Sequence, residues 1–174
     1  MQIWIAAALV IPGLGLELTL EHAAPGLFIR VVRSFLLSIA FWTLAIFLTR
    51  VPFLSLRVVA WTGLVLGIVL VARRARAFIA EARQLRDVWP ALGFVALTTL
   101  HLFPAFRWLV APGADMSMHS FMTRLIVEAQ RLPTTYEPIF PIHDFGSYAA
   151  GLPSLAAVLT ALSGMPAHRT TLIV

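Results

Sequence analysis

The sequence predicts an all-α fold, a polytopic transmembrane helical bundle with an external loop that carries amphipathic helices. Three observations predict it. Of the 174 residues, 60% are hydrophobic and only 12% are charged, where soluble domains carry about 25% charged residues. The apolar residues gather into runs long enough to cross a bilayer, and the mean hydropathy is +0.89. All 13 basic residues are arginines, and they stand at the edges of the apolar runs. No basic stripe is interleaved with exposed aromatics, so no nucleic-acid partner is expected; membrane lipids are. The absence of cysteine excludes disulfides and thiolate metal ligands.

Four transmembrane helices are expected within residues 1–110. The first covers residues 3–20 and is weakened by Pro12, Gly13 and Glu17. It lacks a positive n-region and an A-x-A cleavage site, so it reads as a retained span and not a signal peptide. The second covers 27–49, with Arg30 and Arg33 placed to snorkel at its start. A short turn containing Pro52 leads into the third, 53–72, with Arg57 near its entrance. The fourth, 88–110, has Trp89 and Trp108 near its ends in the manner of an aromatic belt. Pro104 removes a hydrogen bond to the Leu100 carbonyl and is expected to kink it.

The arginines set the orientation. Arg73, Arg74, Arg76, Arg83 and Arg86 lie between the third and fourth spans, opposed only by Glu81 and Asp87. The positive-inside rule therefore makes residues 73–87 cytoplasmic. The loop 111–151 is then external. Within it Met118, Phe121, Met122, Leu125, Ile126, Ala129 and Leu132 recur at helical spacing, which predicts an amphipathic helix over 117–132. His119 and Thr123 fall mostly away from that stripe. The helix would lie on the membrane surface or pack on the bundle. Residues 152–174 hold a short helix, opened by Pro153 and closed by Ser163, Gly164 and Pro166. It is too short to cross a bilayer, so it reads as re-entrant, as a surface helix or as part of an obliquely packed one. The last five residues look like the first turns of a further span, so the sequence is expected to be the N-terminal piece of a longer protein.

The external loop is where chemistry is expected. Asp115 has two readings. As a helix N-cap it would compete with Ser117 for the same amides; as a general base or metal ligand it would sit at the mouth of a membrane cavity. His119 lies four residues on, so the two share one helical face. Together with His143 and Asp144 they could hold a divalent cation, although the spacing fits no fixed metal motif. The cofactor reading is thus none or a divalent cation. Glu137 and Tyr136 are either sugar hydrogen-bonding residues or ordinary loop residues. Arg107, at the outer end of the fourth span, is an interfacial anchor or a bidentate phosphate ligand. Thr98, Thr99 and His101 lie at membrane depth, where polar groups hydrogen-bond neighbouring helices or mark a site.

Three runs, P-G-A-D-M-S-M-H-S-F, L-P-T-T-Y-E-P-I-F-P and F-G-S-Y-A-A-G-L-P-S-L-A-A-V-L-T-A-L-S-G, resemble the start of multi-spanning glycosyltransferases of the GT-C fold. More narrowly they resemble bacterial and archaeal membrane proteins grouped near that family. The resemblance covers residue 88 to the end. It implies transfer of a sugar from a polyprenyl-phosphate donor, a lipid-linked sugar, at the external face of a bacterial or archaeal plasma membrane. By position it makes Asp115 the active-site carboxylate; His119 is the second catalytic candidate, and Arg107, Glu137 and Tyr148 are the candidate substrate-binding residues. The chain has one acidic residue at the loop start and no Asp-Glu or Asp-x-Asp pair, and three spans precede the motif-bearing helix. The alternatives are a transporter-like or flippase-like protein, another non-catalytic membrane protein, and a polysaccharide polymerase or ligase.

Overall fold

A computed structural model describes residues 2–20, 26–82, 88–107, 114–135 and 150–174. Within them lie seven α-helices, with no strand: α1 (Gln2–Leu20), α2 (Leu27–Ala45), α3 (Leu56–Ala82), α4 (Val88–Arg107), α5 (Ala114–Ala129), α6 (Gly151–Ser163) and α7 (Ala167–Ile173). A 3-10 turn, Ile46–Arg50, prolongs α2. Three stretches among the described residues are long and apolar enough to cross a membrane: Ile3–Leu20, Leu27–Arg50 and Leu56–Arg76. The chain is an all-α membrane protein.

α1, α2 and α3 pack as the centre of the bundle, and small residues set how closely. A Cβ built on Gly13 would fall on the Ser34 carbonyl of α2, and one on Gly15 would reach 2.9 Å from the Gly67 carbonyl of α3. Lipid supplies no hydrophobic drive between helices, so close backbone approach of this kind is how spans associate. The order of contacts gives the directions. Ala8 meets Trp42, Gly13 meets Ser38 and Glu17 meets Ser34, so α1 and α2 are antiparallel. Trp4 packs edge-on against Trp61 with ring centroids 5.2 Å apart, and Gly15 meets Gly67, so α1 and α3 are parallel.

Pro12 sits inside α1, and the neighbouring helix repairs the break. Proline has no N–H, so the Ala8 carbonyl loses its normal helical donor. The Trp42 indole N–H donates to that carbonyl at 2.7 Å, and the Gly13 N–H donates to Ser38 Oγ at 2.8 Å. Trp42 is fully buried. In Trp42→Phe the Ala8 carbonyl is left unsatisfied in an apolar surround. The expected loss is about 1–3 kcal/mol, read as a lower unfolding midpoint in detergent, while Trp61→Phe at an exposed position should change little.

The structure departs from the sequence reading at α3 and α5, and at α6 it excludes one of the readings left open. α3 runs ten residues past the expected end at 72, to Ala82, and carries Arg73, Arg74 and Arg76 as helix instead of loop. Alanine and arginine are good helix formers, and no Gly or Pro interrupts them. α4 is described from Val88 to Arg107, and the expected continuation through Trp108 to residue 110 lies outside the described residues. α5 begins and ends three residues earlier than 117–132. Its end is set by Gln130, whose φ of 54° is left-handed. Finally, α6 is no surface helix. Pro153 through Leu159 are all buried, and Leu155 reaches a cavity shared with Leu9 of α1 and Ile39 of α2. Its C-terminal Gly164 (φ 71°) caps it by donating its N–H to the Thr160 carbonyl at 2.9 Å.

α5 is fastened at its far end. The Leu56 N–H, at the start of α3, donates to the Gln130 carbonyl at 2.6 Å. Thr49 Oγ accepts the Leu132 N–H at 2.8 Å while donating to the Ile46 carbonyl at 2.6 Å. The end of α5 therefore lies at the end of the bundle where α2 turns into α3.

Candidate functional site

Asp115 is the second residue of α5. The helix has already begun at Ala114, so Asp115 is inside it and not at the N-cap position weighed from the sequence. His119 follows one turn later, and the helical register puts the two positions on one face. The Asp115 side chain lies outside the described residues, as do those of Thr99, His101 and Arg107. Glu137, His143, Asp144 and Tyr148 lie outside them altogether. Among the described residues no group of three or more His, Asp or Glu could hold a metal ion.

The backbone below this face is anchored by threonines. His119 is half-buried, and its carbonyl accepts the Thr123 hydroxyl at 2.8 Å. Thr123 is fully buried. Thr171 Oγ of α7 lies 3.1 Å from Thr123 Oγ, and the Pro153 carbonyl of α6 lies 3.5 Å from it. A further pair, Thr160 and Thr170, joins α6 to α7 at 2.6 Å. Hydroxyls in apolar helices bond across to neighbours because no water competes. Thr123 thus belongs to the packed face, not to the polar side where periodicity placed it. Met122 and Ile126 are buried beside it as expected, and Ala129 is exposed.

The outer flank of α5 is solvated. Arg124 Nε donates to Glu128 at 2.7 Å, one turn on, with both side chains largely exposed. That hydrogen bond first, and the Coulombic attraction of Glu128 second, raise the Arg124 guanidinium above its ordinary value. It stays charged at any physiological pH.

A second polar cluster went unrecognised in the sequence. Glu17 and Arg30 are buried between α1 and α2, 3% and 4% exposed. Arg30 Nη1 stands 4.0 Å from Glu17 Oε1, and Ser34 Oγ donates to Glu17 Oε2 at 2.9 Å. Arg30 therefore does not snorkel outward: its head group turns into the bundle. The signal was present, since an acid near the end of one span and a base near the start of the next approach each other in a helical hairpin.

An opening beside these helices has a volume of about 800 Å3. Phe35 and Ile39 of α2, Phe94 and Thr98 of α4, and Leu155 of α6 line it. Phe94 packs edge-on to Phe28 and Phe35 at 6.3 and 6.4 Å. Comparison with protein-family profiles, curated proteins and solved structures found no match.

Proposed function

We propose that this chain is part of a membrane glycosyltransferase that transfers a sugar from a polyprenyl-phosphate donor at the external face of a bacterial or archaeal plasma membrane. In this reading Asp115 removes the acceptor's proton and His119 orients it. Arg107 holds the donor phosphate, and Glu137 and Tyr148 contact the sugar. One observation carries the reading. The end of α5 is hydrogen-bonded to Leu56 at the start of α3, whereas the arginine cluster begins 17 residues later on that helix, about 26 Å away at 1.5 Å per residue. This supports opposite sides for the two segments, with 73–87 cytoplasmic and 111–151 external. A base on α5 then meets acceptors outside the cell.

Glycosyl transfer in membranes bearing the intact protein is the test, with a polyprenyl-phosphate-linked sugar as donor. Asp115→Asn is expected to lower transfer at least about 100-fold, the usual scale for loss of a general base, with normal membrane insertion. His119→Ala is expected to lower it less. Transfer by Asp115→Asn at the wild-type rate overturns the reading.

The buried Glu17–Arg30 pair favours a second reading, a transporter-like protein, because ionisable groups inside spans often mark transport pathways. Under that reading Asp115→Asn leaves function intact and Glu17→Gln removes it.

A further inference from the structure

The end of the bundle where α2 turns into α3 holds a smaller cavity of about 380 Å3, apart from the Asp115–His119 face. Arg57 and Trp61 come from α3, Val127 and Gln130 from the end of α5, and Thr160 and Gly164 from α6. The volume lies in the range of small-molecule sites, roughly 300–1,000 Å3. Among the described residues its walls supply a guanidinium, an indole, an amide and a hydroxyl, and no carboxylate.

Most of these groups are already held. The Gln130 amide N–H donates to the Val127 carbonyl at 2.6 Å. The Thr160 hydroxyl is bonded to Thr170 at 2.6 Å, and the Trp61 ring is braced by Trp4. Arg57 is the exception. Its guanidinium has no hydrogen-bond or ion-pair partner among the described residues. The carboxylates whose partners are described are engaged elsewhere, Glu128 with Arg124 and Glu17 with Arg30. Arg57 is exposed at the open side of the cavity, and a cavity whose described lining holds a guanidinium and no carboxylate is complementary to an anion.

We propose that this cavity binds a phosphate group, with Arg57 as its charged donor. The planar guanidinium presents two parallel N–H groups to two phosphate oxygens, a geometry an ammonium cannot reproduce. The phosphate is that of a membrane-lipid headgroup or a free phosphate, both of which can reach the entrance of a span-length helix. The inference does not depend on the glycosyltransferase reading.

The full chain in maltoside micelles is the material for the test, with dioleoylphosphatidic acid and inorganic phosphate as separate probes and retained adducts in native mass spectrometry as the readout. Wild type should bind the lipid, with affinity at least tenfold weaker in Arg57→Gln and several-fold weaker in Arg57→Lys. Arg50→Gln is the control. Arg50 is exposed at the same end of the bundle, its guanidinium 5.2 Å from the Phe47 ring centroid, and it does not line the cavity. Displacement of the lipid by millimolar inorganic phosphate identifies free phosphate as a ligand; binding of the lipid without displacement identifies the headgroup. Equal weakening by Arg50→Gln and Arg57→Gln, or unchanged binding in Arg57→Lys and Arg57→Gln, overturns the proposal.

Discussion

Glu17→Ala should destabilise the helical bundle by about 3–5 kcal/mol, the usual cost of removing one member of a buried ion pair. The cost comes from what remains. Arg30 is 4% exposed, and its guanidinium would lose the carboxylate standing 4.0 Å away. Ser34 would also lose the acceptor it holds at 2.9 Å. Helices surrounded by lipid offer the cation little water in place of that carboxylate unless α2 moves. Unfolding in mixed micelles measures the effect, and the double variant Glu17→Leu/Arg30→Leu sharpens it. Replacing both charges with apolar groups should recover most of the loss, since a buried pair often adds little net stability over well-packed hydrocarbon. A change under about 1 kcal/mol in the single variant would mean that the pair is solvated.

Gly13→Ala should cost at least about 3 kcal/mol, the upper end for overpacking. The added methyl meets backbone on every side. It would fall on the Ser34 carbonyl oxygen and lie 2.6 Å from the Ser38 nitrogen, and neither atom can rotate away as a side-chain tip would. α1 and α2 must separate, which breaks the Gly13–Ser38 hydrogen bond and stretches the Glu17–Ser34 contact. Gly93→Ala is the contrast. Nothing lies within 4 Å of that site, so the same change in α4 should be neutral or stabilising by about 0.5–1 kcal/mol through helix propensity. Equal effects at the two positions would show that α1 and α2 are not closely packed.

These two sites show where the sequence was legible and where it was not. The helices themselves were readable, because an apolar run bounded by Pro, Gly or charge is a local signal. α1, α2 and α6 begin and end within a few residues of expectation, α6 through Pro153 and Gly164. Pairing between helices is not local. Pro12, Gly13 and Glu17 read as weaknesses of a single span, and only the position of α2 reveals them as its points of attachment. Thr123 was assigned to the polar face for the same reason: the periodicity of α5 cannot register the threonine of α7 that meets it. In the candidate site, the i,i+4 relation of Asp115 and His119 was visible in the sequence and agrees with the backbone of α5. The left-handed Gln130 that ends this helix was not visible, because its carbonyl is held by a residue 74 positions earlier, Leu56.

The proline repair has a consequence for biogenesis. On its own, the first hydrophobic segment would enter the bilayer with an unsatisfied carbonyl at Ala8 and a carboxylate at Glu17, both unwelcome in hydrocarbon. Its partner brings the indole and the guanidinium that quiet them. The two segments should accordingly leave the translocon as a hairpin, the first waiting at the channel wall until the second has been synthesised.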